Sequence, residues 1–146
     1  MYIPENKEGT KLYAYDVNSL YPSVMFNNDM PVGKPILFEG DITKIEEDAF
    51  GFFYCKIVTP DNLKHPILQT HIKTDNGIRT IAPLGTWEGM ILSQEILNAQ
   101  NFGYKFEILW GYKFERKNIF KDYVDTLYNL RLNYPKSNPL NLIAKL

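Results

Sequence analysis

Hydrophobic positions in this chain of 146 residues alternate between strand-like runs and helical spacing. Leu12 to Tyr15 is a short aromatic-rich run that reads as a buried strand, and Asp16 stands where it would end. Asn18 and Ser19 are helix-capping residue types. Leu20, Val24 and Met25 then follow at helical spacing, with Pro22 tolerated in the first turn. The pattern predicts strand, tight turn and short helix, with one carboxylate at the turn.

Downstream, Asn27 to Pro31 and Gly33 to Pro35 break the helix. Ile36 to Phe38 is a brief apolar strand, and Asp41 to Asp48 an acidic loop or helical turn. Gly51 to Thr59 reads as a buried strand closed by Pro60-Asp61-Asn62. Ile67 to Lys73 alternates as a strand does, and Asp75-Asn76-Gly77 is a hairpin signal leading into Ile78 to Ala82. An Asn-Gly turn suits this place because both central residues take positive φ at low cost. Ser93 to Asn101 predicts a short helix capped at Ser93 and stopped by Gly103. Tyr104 to Trp110 alternates as a half-buried strand. Positions 119, 120, 123, 124, 127, 128, 130 and 134 form one apolar stripe, so Ile119 to Tyr134 predicts a helix ended by Pro135. Leu140 to Leu146 begins another. Met1 to Thr10 is polar and turn-rich, a linker by its composition.

Composition narrows the class. Apolar residues make up 45% of the chain, and ten Tyr, nine Phe and two Trp raise the aromatic share to 14%, which excludes a disordered segment. The single cysteine, Cys55, excludes an internal disulfide framework and fits a reducing compartment. No apolar run reaches membrane-spanning length and the N-terminus has no signal pattern, so the reading is intracellular and soluble. The net charge of −1 does not mark a free-standing nucleic-acid binder. Acids cluster between Glu39 and Asp48, and bases between Lys105 and Lys121.

Candidate chemistry centres on Asp16. A carboxylate at a strand end can hold Mg²⁺, and the free N–H groups of the following helix can receive phosphate oxygens. Equally, Asp16 can cap the helix while Tyr21 packs in a core. The turn alone leaves both readings open. His65 and His71 flank a predicted strand without a cysteine or carboxylate cluster at ligand spacing, and neither a Ser-His-Asp arrangement nor a glycine-rich phosphate loop is present.

The full string Asp16-x-x-Ser19-Leu20-Tyr21-Pro22 resembles motif A, the D-x-x-S-L-Y-P signature of family B DNA polymerases. Met30-Pro-Val-Gly33 follows it as in similar polymerases. Ile119 to Val124 and Leu142-Ile-Ala-Lys145-Leu146 resemble the approach to motif B, K-x-x-x-N-S-x-Y-G. The long interval between the two motifs resembles the protein-primed branch, in which a first terminal-protein region separates them.

The resemblance implies an α+β fragment. Residues 1–27 would be a palm segment with a strand carrying motif A. Residues 28–118 would be a mixed or antiparallel β insertion like the terminal-protein region, and 119–146 the first helices of the fingers. It implies two-metal phosphoryl transfer with Mg²⁺ or Mn²⁺. Asp16 would be the catalytic ligand of both ions and the Val17 carbonyl a further ligand. Backbone N–H groups of Ser19 and Leu20 would face the triphosphate, and Tyr21 would exclude a ribose 2′-hydroxyl. Lys145 and Arg131 would neutralise phosphate charge. Asn141 departs from relatives that carry a basic residue there. Lys105, Lys113, Arg116, Lys117 and Lys121, interleaved with aromatics, would touch DNA or a terminal priming protein; an edge strand with ordinary surface lysines fits the same residues. The implied partners are template-primer DNA, deoxynucleoside triphosphates and the priming protein, with no membrane. A phage, a virus-like element or a mitochondrial linear plasmid would carry the gene. The later D-T-D signature is missing, so this piece alone is expected to be inactive. The alternative is a non-catalytic module that binds a terminal protein or DNA.

Overall fold

A computed structural model describes Gly9 and residues 11–145. The linker expected at Met1 to Thr10, apart from Gly9, and the terminal Leu146 lie outside the described residues. The chain divides into two units. One comprises Met1–Asp29 with Asn118–Leu146, and the other Met30–Lys117.

The second unit is built on alternation. In β2 (Gly51–Val58), Phe53, Cys55 and Ile57 are buried while Phe52, Lys56 and Val58 are exposed. That period of two turns one face of a sheet inward. β2 pairs antiparallel with β5 (Thr86–Leu92) and with β6 (Lys105–Lys117), and β6 pairs antiparallel with β1 (Met30–Glu39). The strand order is therefore β1-β6-β2-β5. Register shifts beside Tyr54–Cys55 and between Val32 and Ile36 mark bulges, which let β1 and β6 run longer than the short apolar runs predicted.

Helix α2 (Ser93–Gln100) contributes Ile96 and Ala99 to the buried face, where they join Phe53, Cys55, Ile57, Leu68, Ile91 and Tyr104 in one core. Burying a side chain such as Phe53 or Ile57 contributes roughly 1.5–3 kcal/mol. Ser93 does not cap α2. It is the helix's first residue, and its buried hydroxyl instead accepts the Gly51 N–H at 3.2 Å. The opposite face of the sheet carries Phe52, Tyr54, Trp110 and Tyr112, with Tyr54 stacked on Trp110 at 5.3 Å. Glu88 accepts the Tyr54 hydroxyl at 3.1 Å, and that bond, with burial and the nearby negative charge, raises the phenol's pKa.

Hairpin β3 (Thr70–Thr74) and β4 (Gly77–Ile81) forms a separate two-stranded sheet. Its turn differs from expectation: Gly77 alone takes positive φ, at 108°, while Asp75 and Asn76 do not. The glycine thus begins the return strand instead of occupying the turn's centre. The acidic stretch forms a single turn at Ile42–Lys44, with Asp41 Oδ1 accepting the Thr43 N–H at 3.0 Å.

In the first unit, α1 (Leu20–Asn27), α3 (Lys121–Asn133) and α4 (Pro139–Ile143) carry the chain. Val124 and Ala144 are buried there. Leu12 to Tyr15 corrects the sequence reading. It forms no ladder with any described residue, and Tyr13 and Tyr15 are 71% and 90% exposed. A strand exists only with a partner to receive its N–H and C=O groups, and apolar character alone does not supply one.

Candidate functional site

The turn after Asp16 is built by one strained residue. Ser19 has φ 50° and ψ 55°, a left-handed conformation that no other non-glycine among the described residues adopts. It costs an L-residue about 1–2 kcal/mol, and such strain collects at functional sites. Ser19 occupies the cap position of α1 but its hydroxyl makes no capping bond. The helix begins with the Ser23 N–H donating to the Ser19 carbonyl at 2.9 Å. Leu20 and Tyr21 therefore carry first-turn N–H groups ahead of any helical acceptor, while Pro22 has no N–H to offer. Asp16 is exposed just before this end, with Val17 beside it, and the Tyr21 ring is 78% exposed.

Helical spacing sorts α1 into two faces. Ser19, Pro22, Ser23 and Phe26 fall at i, i+3, i+4 and i+7, and together they line a cavity of about 360 Å³ with Val124, Tyr128 and Arg131 of α3. Among the described residues its lining takes in neither Asp16, Tyr21 nor Lys145. The cavity thus brings Ser19 and Arg131 to one space and leaves the carboxylate outside it. Arg131 also borders a second cavity of about 350 Å³, shared with Tyr134 and Asn141. Its Nε is buried and finds no acceptor among the described residues.

The other expected cations have different surroundings. Lys145 is exposed two residues beyond α4. Lys121 lies over the Phe26 ring, 5.6 Å from its centroid, in a cation–π contact. On β6, Lys113 is paired with Glu46, and Arg116 lies 3.9 Å from Asp48. The acidic stretch thus partners two of the bases expected to meet nucleic acid or protein. Lys105 and Lys117 are exposed on the same strand.

Residues 2–146 match the family described as DNA polymerase type B, organellar and viral. The chain belongs to that family. It is 47% identical over 139 residues to a probable DNA polymerase of Ascobolus immersus, covering 95% of this chain and 12% of that protein. A probable DNA polymerase of Neurospora intermedia is 45% identical over 145 residues, covering 94% of this chain and 15% of the relative. The DNA polymerase of Bacillus phage Nf is 30% identical over 134 residues, covering 83% and 22%. The fold is similar to that of phi29 DNA polymerase in an orthorhombic crystal, with a TM-score of 0.61 at 24% identity over 88% of this chain and 24% of that one. This type B polymerase chain therefore spans between about a tenth and a quarter of the relatives it matches.

The α+β class expected from the motifs agrees with this likeness. No helix among the described residues is long and apolar enough to cross a membrane.

The donor set for a divalent metal is partial. The exposed residues Asp16 and Val17, a carboxylate followed by a backbone carbonyl, suit one arm of a hard-cation site. Among the described residues no group of three or more His, Cys, Asp or Glu could complete it. Sequence reasoning also missed two residues that the structure makes central, Phe26 and Asn118, and it gave Asn141 no bonding role. The spacing of Ser19, Pro22, Ser23 and Phe26 signalled the first. Nothing local signalled the Asn118 bond to Phe26 or the Asn141 bonds to Arg131 and Tyr134, because those acceptors lie in or at the end of another helix.

Proposed function

We propose that this chain supplies the motif A side of the nucleotide-addition centre of a protein-primed, DNA-directed DNA polymerase. The observation that carries the reading is the end of α1: an exposed carboxylate, a left-handed Ser19 and uncapped first-turn N–H groups lie within six residues of one another. Family membership and relatives named as polymerases support it.

In this reading Asp16 and the Val17 carbonyl hold Mg²⁺ or Mn²⁺, with further carboxylates contributed by other parts of the polymerase. When bound, the ions supply charge stabilisation for the attacking and leaving oxygens of phosphoryl transfer. The N–H groups at Ser19 and Leu20 orient the triphosphate of a deoxynucleotide, since a helix N-terminus favours anions. Tyr21 lies against the sugar and fills the volume a 2′-hydroxyl needs. Arg131, whose Nε has no acceptor among the described residues, and Lys145 neutralise phosphate charge. Residues 1–27 and 119–146 act as palm and first fingers helices. Residues 28–118, through exposed bases such as Lys105 and Lys117, meet the template-primer duplex and the terminal priming protein. The isolated piece, with one metal-binding carboxylate at this turn, is inactive.

Asp16→Ala in the polymerase polypeptide that carries this segment tests the reading. Nucleotide incorporation should fall by a factor of roughly 10³ or more, while binding to primer-template DNA in a mobility-shift assay is retained. Synthesis at the parental rate would remove Asp16 from the chemistry.

A further inference from the structure

The side-chain amide of Asn141 joins α3, which carries Arg131, to α4, which Lys145 follows by two residues. Its Nδ2 donates to the Arg131 carbonyl at 3.0 Å and to the Tyr134 carbonyl at 2.7 Å. Arg131 lies in the last turn of α3, where the final four carbonyls have no partner within the helix. Asn141 is part of α4 and stands four positions, about one helical turn, before Lys145. One amide group thus binds the backbone that bears Arg131 to the segment that bears Lys145. Asn141 is half-buried, so water competes poorly for these bonds. The guanidinium receives no such help from its own Nε, which has no acceptor among the described residues. Its placement comes from the backbone side.

We infer that Asn141 is a positioning residue for the incoming nucleotide, its amide setting the spacing between the Arg131 and Lys145 cations. This rests on the proposed role of those cations in holding the triphosphate. The side chain would thus order two cations of the proposed site without adding a charge of its own. Only a donor serves. Alanine leaves both carbonyls unpaired, and aspartate sets a negative oxygen against them.

The test is steady-state nucleotide incorporation by the full polymerase carrying Asn141→Ala, Arg131→Ala and the double substitution, with melting temperatures alongside. Asn141→Ala should raise the KM for deoxynucleotide roughly three- to tenfold while kcat changes less than about twofold, since a ground-state contact is misplaced. In the Arg131→Ala background the same substitution should have a much smaller effect, because the cation it positions is gone. Equal factors in both backgrounds, or a fall in kcat at constant KM, would overturn the inference. Should Asn141→Ala fail to fold, Asn141→Gln retains the amide at one methylene's displacement. It must then show a KM raised above the parental value, and a parental KM overturns the inference. If Arg131→Ala leaves KM unchanged, the phosphate role of Arg131 fails first, and the inference falls with it. A raised KM in Arg131→Ala beside an unaffected Asn141→Ala sinks the inference alone.

Discussion

Asn118 donates from its side-chain amide to the Phe26 carbonyl at 2.8 Å across 92 positions of sequence, while its Oδ1 accepts the Lys121 N–H at 3.2 Å. One residue therefore links the last turn of α1 to the first turn of α3, satisfying an orphan group at each helix end. Asn118→Ala should lower stability by about 1–2 kcal/mol, read as a reduced Tm. Asn118→Asp keeps the acceptor for Lys121 but loses the donor to Phe26, so its Tm should fall between the two. Equal Tm values for alanine and aspartate would show that the bond from the Lys121 N–H contributes nothing.

The exposed ring of Tyr21 bears on sugar selection. Its rigid edge is proposed to occupy the space of a 2′-hydroxyl, and discrimination by exclusion needs only that volume. Tyr21→Val in the full polymerase should raise ribonucleotide incorporation relative to deoxynucleotide by roughly tenfold or more, equivalent to about 1.4 kcal/mol. Competition between the two nucleotides on a primed template checks it, and unchanged selectivity would dismiss the gate.

Gly111 is required by close strand packing. A Cβ there would meet the Phe52 carbonyl oxygen and lie 2.9 Å from both Phe38 Cζ and Phe53 Cα. Two of these three atoms are backbone and cannot yield as a side-chain tip does. Gly111→Ala should cost at least about 1–3 kcal/mol by chemical denaturation. At Gly40 a Cβ meets nothing within 4 Å, though φ is 78°, so Gly40→Ala carries only backbone strain and should cost less, about 1 kcal/mol.

Cys55 is fully buried, and desolvation, followed by the negative charge of Asp41, pushes its thiol from 9.0 up to about 12. Two outcomes follow. At pH 8 a maleimide should label the unfolded chain and leave the folded chain unlabelled. As pH rises above about 9 the unfolded thiol ionises while the folded one keeps its proton, so the folded state binds more protons and stability falls toward pH 12. Cys55→Ala should flatten that alkaline loss in pH-dependent melting curves.

Much of the second unit was legible before folding. The run Gly51 to Thr59 identified a buried strand, and a glycine at 77 located the hairpin, while the structure decided that Phe53, Cys55 and Ile57 face inward. The candidate site was legible as a string, since Asp16 to Pro22 carries its own turn and helix start. Ser19's left-handed backbone was not, because local residue preference favours a serine cap with extended geometry. Ser93 misled for the same reason: its hydroxyl found a distant N–H on Gly51 instead of one in its own helix.

What the sequence alone determined is therefore local: element type, the hairpin turn, and the motif whose residues lie close together along the chain. These follow from periodicity and backbone preference, which act over a few residues. The tertiary structure decided which polar groups meet. Asn118 with Phe26, Asn141 with Arg131 and Glu46 with Lys113 are pairs that no window of neighbouring residues contains. It also left Leu12 to Tyr15 without a ladder to any described residue, because a strand is completed by the backbone groups of another segment and not by its own side chains.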